Sequence, residues 1–334
     1  MKKEDIQAIK NLLATPKKIA IVPHRSPDGD AMGSSLAMYN YLIELNHEVT
    51  VVSPNQFPNF LAWLPASEKV LIYENDKENC ADILRQAEIV FTLDFNALHR
   101  TGEMENVLNK LSATMIMIDH HQSPDGYAQY VYSDTKFGST CEMIYNFIGF
   151  LGHKKYIDKN VATCIYSGIV TDTGSFRFSS TTSATHRVVA DLIDLGVENS
   201  EVHNLIFNDN SFNRLQLLGR ALQNMKVFPQ YNTAYITLSQ KELDEFHYEK
   251  GDTEGIVNYG LTIKGIHLAA IFIENKDEKI IKISFRSQGS FDVNQFAREY
   301  FSGGGHINAA GGKSNDSMEI TLKKFEDLIS KISI

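Results

Sequence analysis

The sequence predicts an α/β fold in two parts, a parallel-sheet N-terminal domain and a smaller mixed α/β C-terminal domain. Three observations carry that expectation. Up to about residue 200, short apolar runs alternate with longer stretches of helical periodicity. Beyond a polar stretch, four strand-like runs gather ahead of a last pair of helices. A chain of 334 residues, 43% of them hydrophobic, is long for one core and comfortable for two. The expected boundaries are 1–200 for the first domain, 201–225 for a helical connection and 226–334 for the second, with the active site in the cleft between domains.

The first strand is KKIAIVP (17–23), and AMGSSLAMYNYLIELN (31–46) follows as a helix with small residues in its first turns. HEVTVVS (47–53), AEIVFTLDF (87–95) and ATMIMIDHH (113–121) are further apolar runs, each ending in polar residues. Such runs, separated by helices, are the mark of a parallel sheet covered on both faces. GSTCEMIYNFIGFLG, KNVATCIYSGIVTDTG and TTSATHRVVADLIDLG (181–196) read as helices, and the more polar 197–225 as a helical connection. MKVFPQ, TAYITLS, HLAAIFIE and KIIKISFRS open the second unit as strands. The helix DVNQFAREYF with Asp292 as its N-cap, a glycine loop GGGH and an amphipathic helix near TLKKFEDLISKIS close it.

A net charge of −9 excludes a broad basic groove for a long nucleic acid, though not a short nucleotide whose charge metal ions offset. Cys80, Cys141 and Cys164 are scattered and odd in number, which suggests neither a disulfide framework nor a structural zinc site. The polar start MKKEDIQAIKNLLATPKK and the absence of an 18-residue apolar run predict a cytoplasmic protein with no membrane partner.

In open parallel sheets ligands bind beyond the carboxyl ends of the strands. HRSPDGD places His24, Asp28 and Asp30 on one tight turn after the first strand, Asp94 ends a later run, and His120 and His121 end the next. TDTGSFRF adds Asp172 at a helix end. Alone, HRSPDGD reads equally well as a loop whose acids cap the following helix. Four gathered carboxylates, however, are strongly unfavourable without a cation. Mixed aspartate and histidine ligands suit Mn²⁺, Fe²⁺, Zn²⁺ or Mg²⁺, and this many carboxylates without a cysteine ligand favour two ions bridged by one acid. Two ions about 3.5–4 Å apart hold a hydroxide between them and polarise a phosphoryl oxygen, which is the chemistry of phosphate-ester hydrolysis.

The string HQSPDGY (121–127) rhymes with HRSPDGD but carries Tyr127 where the first has Asp30. The two strings therefore stand in different contexts, which weakens the idea of a duplicated site. His47, His99, His153, His186, His203, His247 and His267 lack acidic company at ligand spacing. Arg25, Arg100 and Arg177 lie near the motifs and read either as phosphate contacts or as surface charge.

HRSPDGDAMGSSLAM, LDFN, IDHHQ and TDTGSFRF resemble, in order, the four motifs of the DHH phosphoesterase superfamily. ISFRSQGSFDVNQFAREYFSGGGHINAAGG is similar to the accompanying DHHA1 domain, so the resemblance runs nearly end to end. The compact two-domain length is most similar to the NrnA-like branch. Its members hydrolyse very short RNA to mononucleotides and often remove the 3′-phosphate of 3′-phosphoadenosine 5′-phosphate (pAp).

The resemblance implies roles residue by residue. His24, Asp28 and Asp94 would bind one metal ion, and Asp30, Asp94, His120 and Asp172 the other, with Asp94 as the bridge. Asp119 would orient an imidazole, and His121 would donate to a phosphoryl oxygen. The metal-bridging water would attack; the usual ions are two Mn²⁺, with Mg²⁺ or Co²⁺ as substitutes. In the second domain Arg286 and the loop Gly303, Gly304, Gly305 and His306 would hold the nucleotide. Ile307 and Asn308 stand where the family commonly has a basic residue, which puts a phosphate contact there in doubt. Alternatives are a cyclic- or linear-dinucleotide phosphodiesterase and a non-catalytic nucleotide sensor; the intact ligand set argues against the sensor. Family members commonly form homodimers.

Overall fold

In the computed structural model, which describes residues 1–332, the apolar runs of the first part become β1 (Lys18–Val22), β2 (Glu48–Ser53), β3 (Leu71–Ile72), β4 (Ile89–Leu93), β5 (Thr114–Asp119) and β6 (Tyr130–Ser133). They form one sheet in the order β3-β2-β1-β4-β5-β6, every pair parallel. The edge strands β3 and β6 are short and only partly buried, so neither presents the apolar run that marks a central strand. The chain leaves β1 toward β2 on one side and reaches β4 on the other. That reversal opens a crevice at the carboxyl ends of β1 and β4.

Side chains of β1 alternate between two cores. Ile19 and Ile21 join one with helix Gly29–Glu44, while Ala20 and Val22 join the other with helix Lys77–Gln86. The small residues early in Gly29–Glu44 let helix Lys159–Asp172 come close. A Cβ at Gly33 would lie 2.7 Å from the Cys164 carbonyl oxygen.

This first unit spans Met1–Asp209, and a second begins at Asn210. The 201–225 stretch is helical but is not a separate connection. Val202 and Ile206 are buried in the first unit's core, whereas Leu217 and Ala221 of helix Phe212–Gln223 are buried in the second's. Its apolar residues are what divide it, since each half finds a core to enter.

The second unit holds β7 (Lys226–Phe228), β8 (Thr233–Leu238), β9 (Leu268–Asn275), β10 (Ile280–Ser287), β11 (Gly304–His306) and β12 (Ala309–Ser314), in the order β11-β12-β10-β9-β8-β7. Among the described residues of this unit only β8 and β9 pair in parallel. Phe296, Phe301 and Phe325, from helices Val293–Tyr300 and Met318–Ile329 and the residue after the first, pack against Phe272 and Phe285 of the sheet. Asp292 caps Val293–Tyr300 by accepting from the Gln295 N–H at 2.9 Å. The glycine loop expected at 302–312 is instead a β-hairpin. Its glycines serve close backbone approach, because a Cβ at Gly303 would stand 2.7 Å from the Gly312 Cα.

Candidate metal centre

Parallel strands end at one edge, and β1, β4 and β5 are neighbours there. Their ends deliver His24, Asp94, Asp119, His120 and His121, all buried, to a single place. Asp94 adopts φ 65°, a left-handed conformation that aspartate tolerates better than most residues, and its N–H donates to the Ile118 carbonyl at 3.0 Å. Asp28 caps the following helix, as one reading of its motif expects, and also faces a histidine. Its Oδ1 accepts from the N–H groups of Asp30 and Ala31, at 3.0 and 3.1 Å, as the cap of Gly29–Glu44, while its Oδ2 faces His24. Asp30 accepts from the N–H groups of Thr140 (2.6 Å) and Cys141 (2.9 Å), the start of helix Thr140–Phe150. Asp172 closes helix Lys159–Asp172.

Two acid–histidine groups result, and they share one carboxylate. His24 Nε2 lies 3.6 Å from Asp94 Oδ2 and 3.9 Å from Asp28 Oδ2. His120 Nε2 lies 3.3 Å from Asp172 Oδ2, 3.4 Å from Asp94 Oδ1 and 3.7 Å from Asp30 Oδ2. Donors about 2.1 Å from a common ion sit roughly 3.0–3.4 Å apart at right-angled to tetrahedral geometry, so both groups are close to the spacing a shared ion requires. Asp94 turns one oxygen to each group. The imidazoles are oriented to complete these groups. Nδ1 of His24 donates to the Arg25 carbonyl (2.9 Å) and Nδ1 of His120 to that of Phe137 (3.1 Å). Because a carbonyl only accepts, Nδ1 carries a hydrogen, and Nε2 is the atom that faces the acids, donating to them when protonated and offering a lone pair to an ion when not.

The electrostatics describe a cluster short of positive charge. Burial, and then the charges of Asp94 and Asp172, push the Asp30 carboxyl well above the usual range. Burial pulls the His120 imidazole down, but the Asp94 hydrogen bond and the charges of Asp172, Asp94 and Asp30 outweigh it and carry the group well up. His24 is raised in the same way, against burial and the nearby charge of Arg100. Burial opposes ionisation of Asp94, yet hydrogen bonds from His120 and His24 and the charge of His121 hold it well below the carboxylate range. Protons thus supply the positive charge that cations would bring, and the donor set of carboxylates and imidazoles fits divalent ions.

Asp119 is fully buried and accepts from His121 Nδ1 at 2.7 Å, so the imidazole it orients is that of His121. Ser26 and Ser123, the third residue of each rhyming string, share φ 56°, but the first string runs on into a helix and the second into a turn. In the second, Tyr127 donates to Thr92 Oγ1 at 2.9 Å and stacks on Phe95, which makes it a packing residue. The Asp125 N–H donates to the Asn96 carbonyl at 2.8 Å, as a turn residue would. Arg25 reaches Glu74 at 3.3 Å and Arg177 donates to the Gly174 carbonyl at 2.7 Å. His47, His153 and His203 are engaged with the Lys17 N–H, Tyr41 and Ser175.

Sequence reasoning missed Thr140, whose hydroxyl donates to Asp94 Oδ1 at 2.8 Å, and Asn96, whose Nδ2 donates to the Gln122 carbonyl at 2.6 Å and pins the loop after β5. GST at 138–140 did carry an N-cap signature, since Ser139 accepts from the Glu142 N–H at 3.1 Å. Nothing local marked the next residue as facing two acids.

In the second unit His306 and Arg286 lie at one register, both opposite Ala309 on β12. The expected cradle of glycine N–H groups is closed at two positions. Gly303 donates to the Ala297 carbonyl at 3.1 Å and Gly305 to Asn294 Oδ1 at 2.9 Å, because the hairpin uses them for its own packing. Gly304 pairs with Gly311.

Residues 18–169 match the family model described as DHH family, N-terminal domain, and residues 230–333 match the DHHA1 domain. The chain is 30% identical to the bifunctional oligoribonuclease and PAP phosphatase NrnA of Thermus thermophilus, over 90% of this chain and 85% of that one. To the protein of the same name from Bacillus subtilis it is 28% identical over 91% and 92%. The crystal structure of an exopolyphosphatase-related protein from Bacteroides fragilis superposes with a TM-score of 0.94 at 38% identity, covering 99% of this chain and 96% of the other.

Proposed function

This chain belongs to the DHH family, with a DHHA1 domain following the DHH domain, and from that premise we propose a two-metal phosphoesterase that hydrolyses very short RNA, pAp or both. The observation that carries the reading is the pair of acid–histidine groups meeting at Asp94, whose two oxygens face different imidazoles. His24, Asp28 and Asp94 would hold one ion, and Asp30, Asp94, His120 and Asp172 the other; Mn²⁺ is the ion proposed, with Mg²⁺ or Co²⁺ as substitutes. When bound, such ions supply an activated water and positive charge for the phosphoryl oxygens.

The chain's own groups do the rest. Asp119 fixes the His121 ring through the 2.7 Å hydrogen bond to Nδ1, and as the imidazolium the ring donates from Nε2 to a phosphoryl oxygen as its charge grows. Thr140 and Cys141 hold Asp30 in place through their N–H groups. Met1–Asp209 is the catalytic part in this reading and the second unit the substrate-binding part. There Arg286 and His306, two strands apart or roughly 10 Å, are spaced for successive phosphates or a phosphate and a base. Gly303, Gly304 and Gly305 shape the hairpin that carries His306. A net charge of −9 suits a ligand of few phosphates over a long strand. No helix among the described residues is long and apolar enough to cross a membrane, and the three cysteines are free and buried, in keeping with a reducing cytoplasm. A homodimer is part of the same proposal.

Purified protein incubated with Mn²⁺ and, in parallel, a 5′-labelled diribonucleotide, pAp and a cyclic dinucleotide tests the reading. Mononucleotides from the dinucleotide or phosphate from pAp are expected. Turnover of the cyclic dinucleotide alone would move the activity to a cyclic-dinucleotide phosphodiesterase, and tight nucleotide binding without turnover would replace the enzyme by a sensor.

A further inference from the structure

Resting on the metal-centre reading above, we propose that Thr140, which lies outside every motif read from the sequence, is a positioning residue that sets the plane of the Asp94 carboxylate. Thr140 is fully buried and is the first residue of helix Thr140–Phe150. It touches two acids of the centre, Asp30 and the shared Asp94, through two different groups. Its N–H, one of the helix-start donors with no partner inside the helix, reaches Asp30 Oδ2 at 2.6 Å. Its hydroxyl donates to Asp94 Oδ1 at 2.8 Å. An ionised carboxylate only accepts, so the hydroxyl hydrogen lies on that line.

Asp94 needs such a donor because its role depends on orientation. Oδ1 faces His120, and Oδ2 faces His24. With ions in place both imidazoles would offer Nε2 lone pairs to the metals and would no longer donate to Asp94. His121 is already engaged through Nδ1 with Asp119, 2.7 Å away, and lies 3.9 Å from Asp94 Oδ1. The Thr140 hydroxyl is then the donor that holds the carboxylate plane, and the β-branched side chain of threonine restricts where that hydroxyl can point. Fixing the shared carboxylate matters most for keeping both ions at once.

Metal-stripped wild type, Thr140→Val and Thr140→Ser are titrated with Mn²⁺ by calorimetry, and the spin coupling of the ion pair is followed by electron paramagnetic resonance. Valine keeps the shape and the backbone N–H but removes the hydroxyl. Its second ion should bind about 10–100-fold more weakly, with the coupled signal lost, as for other groups that orient metal ligands. Serine should restore both. Thr140→Val with wild-type affinity and coupling overturns the proposal, as does Thr140→Ser weakened as much as valine. Wild type that binds fewer than two ions overturns the metal-centre reading instead. Circular dichroism of the stripped proteins checks folding; should valine not fold, Thr140→Ala, which cannot clash, carries the same expectation.

Discussion

Replacing Gly168 by alanine adds a single methyl group and no charge, yet it should disable the centre. Gly168 lies in Lys159–Asp172 where that helix crosses the start of Gly29–Glu44 and the start of Thr140–Phe150. A Cβ there would overlap Cys141 Sγ and stand 2.8 Å from Asp30 Oδ1. To regain an ordinary contact Asp30 Oδ1 must recede by about 0.6 Å in a close-packed interior. Overpacking costs about 1–3 kcal/mol, and alanine in a helix returns about 1 kcal/mol. The net loss of about 0–2 kcal/mol lowers Tm by roughly 0–8 °C. Function should suffer more, since sites tolerate displacements of about 0.5 Å and an error near 1 Å costs about 100-fold. We expect Mn²⁺ affinity and turnover to fall about 10–100-fold. Thermal melts of the stripped protein, Mn²⁺ titration and turnover of a diribonucleotide make the comparison. Gly219→Ala is the control: its Cβ meets nothing within 4 Å among the described residues, so Tm should rise slightly and turnover stay unchanged. A Gly168→Ala protein with wild-type affinity and turnover would refute the idea that this helix crossing sets Asp30.

Asp94→Asn keeps a residue that accepts φ 65° while removing the charge, so the fold should persist; the protein should retain at most one ion, and turnover should fall at least about 100-fold. Unchanged ion stoichiometry would argue against a bridge. Asp119→Asn should lower kcat about 10–100-fold with both ions still bound, because it releases His121 rather than a ligand; loss of an ion would move Asp119 into the ligand set. In the metal-free protein the raised groups Asp30 and His120 stabilise the fold below their ordinary values and lose that contribution as pH rises through their raised ones. Tm in EDTA should therefore fall from pH 6.5 upward, with Asp94, held low, adding nothing to the slope there. Saturating Mn²⁺ should remove the fall, and a flat profile in EDTA would contradict the assignment.

How much of this was legible in the sequence depended on whether the cause was local. His24, Asp94 and the pair at 120–121 each follow an apolar run, and the rule that parallel sheets bind ligands at their carboxyl edge is enough to bring them together. The same holds for Asp292 as a cap and for the central strands. Asp30 was found, but its partners were not, because Thr140 and Cys141 are 110 and 111 residues away in the chain. Gly168 carried no signal at all, since its reason is the side chain of Cys141 on another helix. The GGGH stretch looked like a loop because glycines are poor strand formers; the close passage of β11 over β12 selects them instead.

Helix ends have a further consequence for how the protein meets its ions. Asp28 and Asp30 are held by backbone N–H groups, and Asp94 by a threonine hydroxyl, all of them donors of the chain itself. On the metal-centre reading the cradle is thus built during folding, and loading does not have to order it. On that reading the stripped chain should stay folded and ions should exchange on a standing scaffold. A preformed set of oxygen and imidazole donors ranks divalent ions by general affinity. Which ion the protein carries is then decided by supply, a property of its surroundings more than of its sequence.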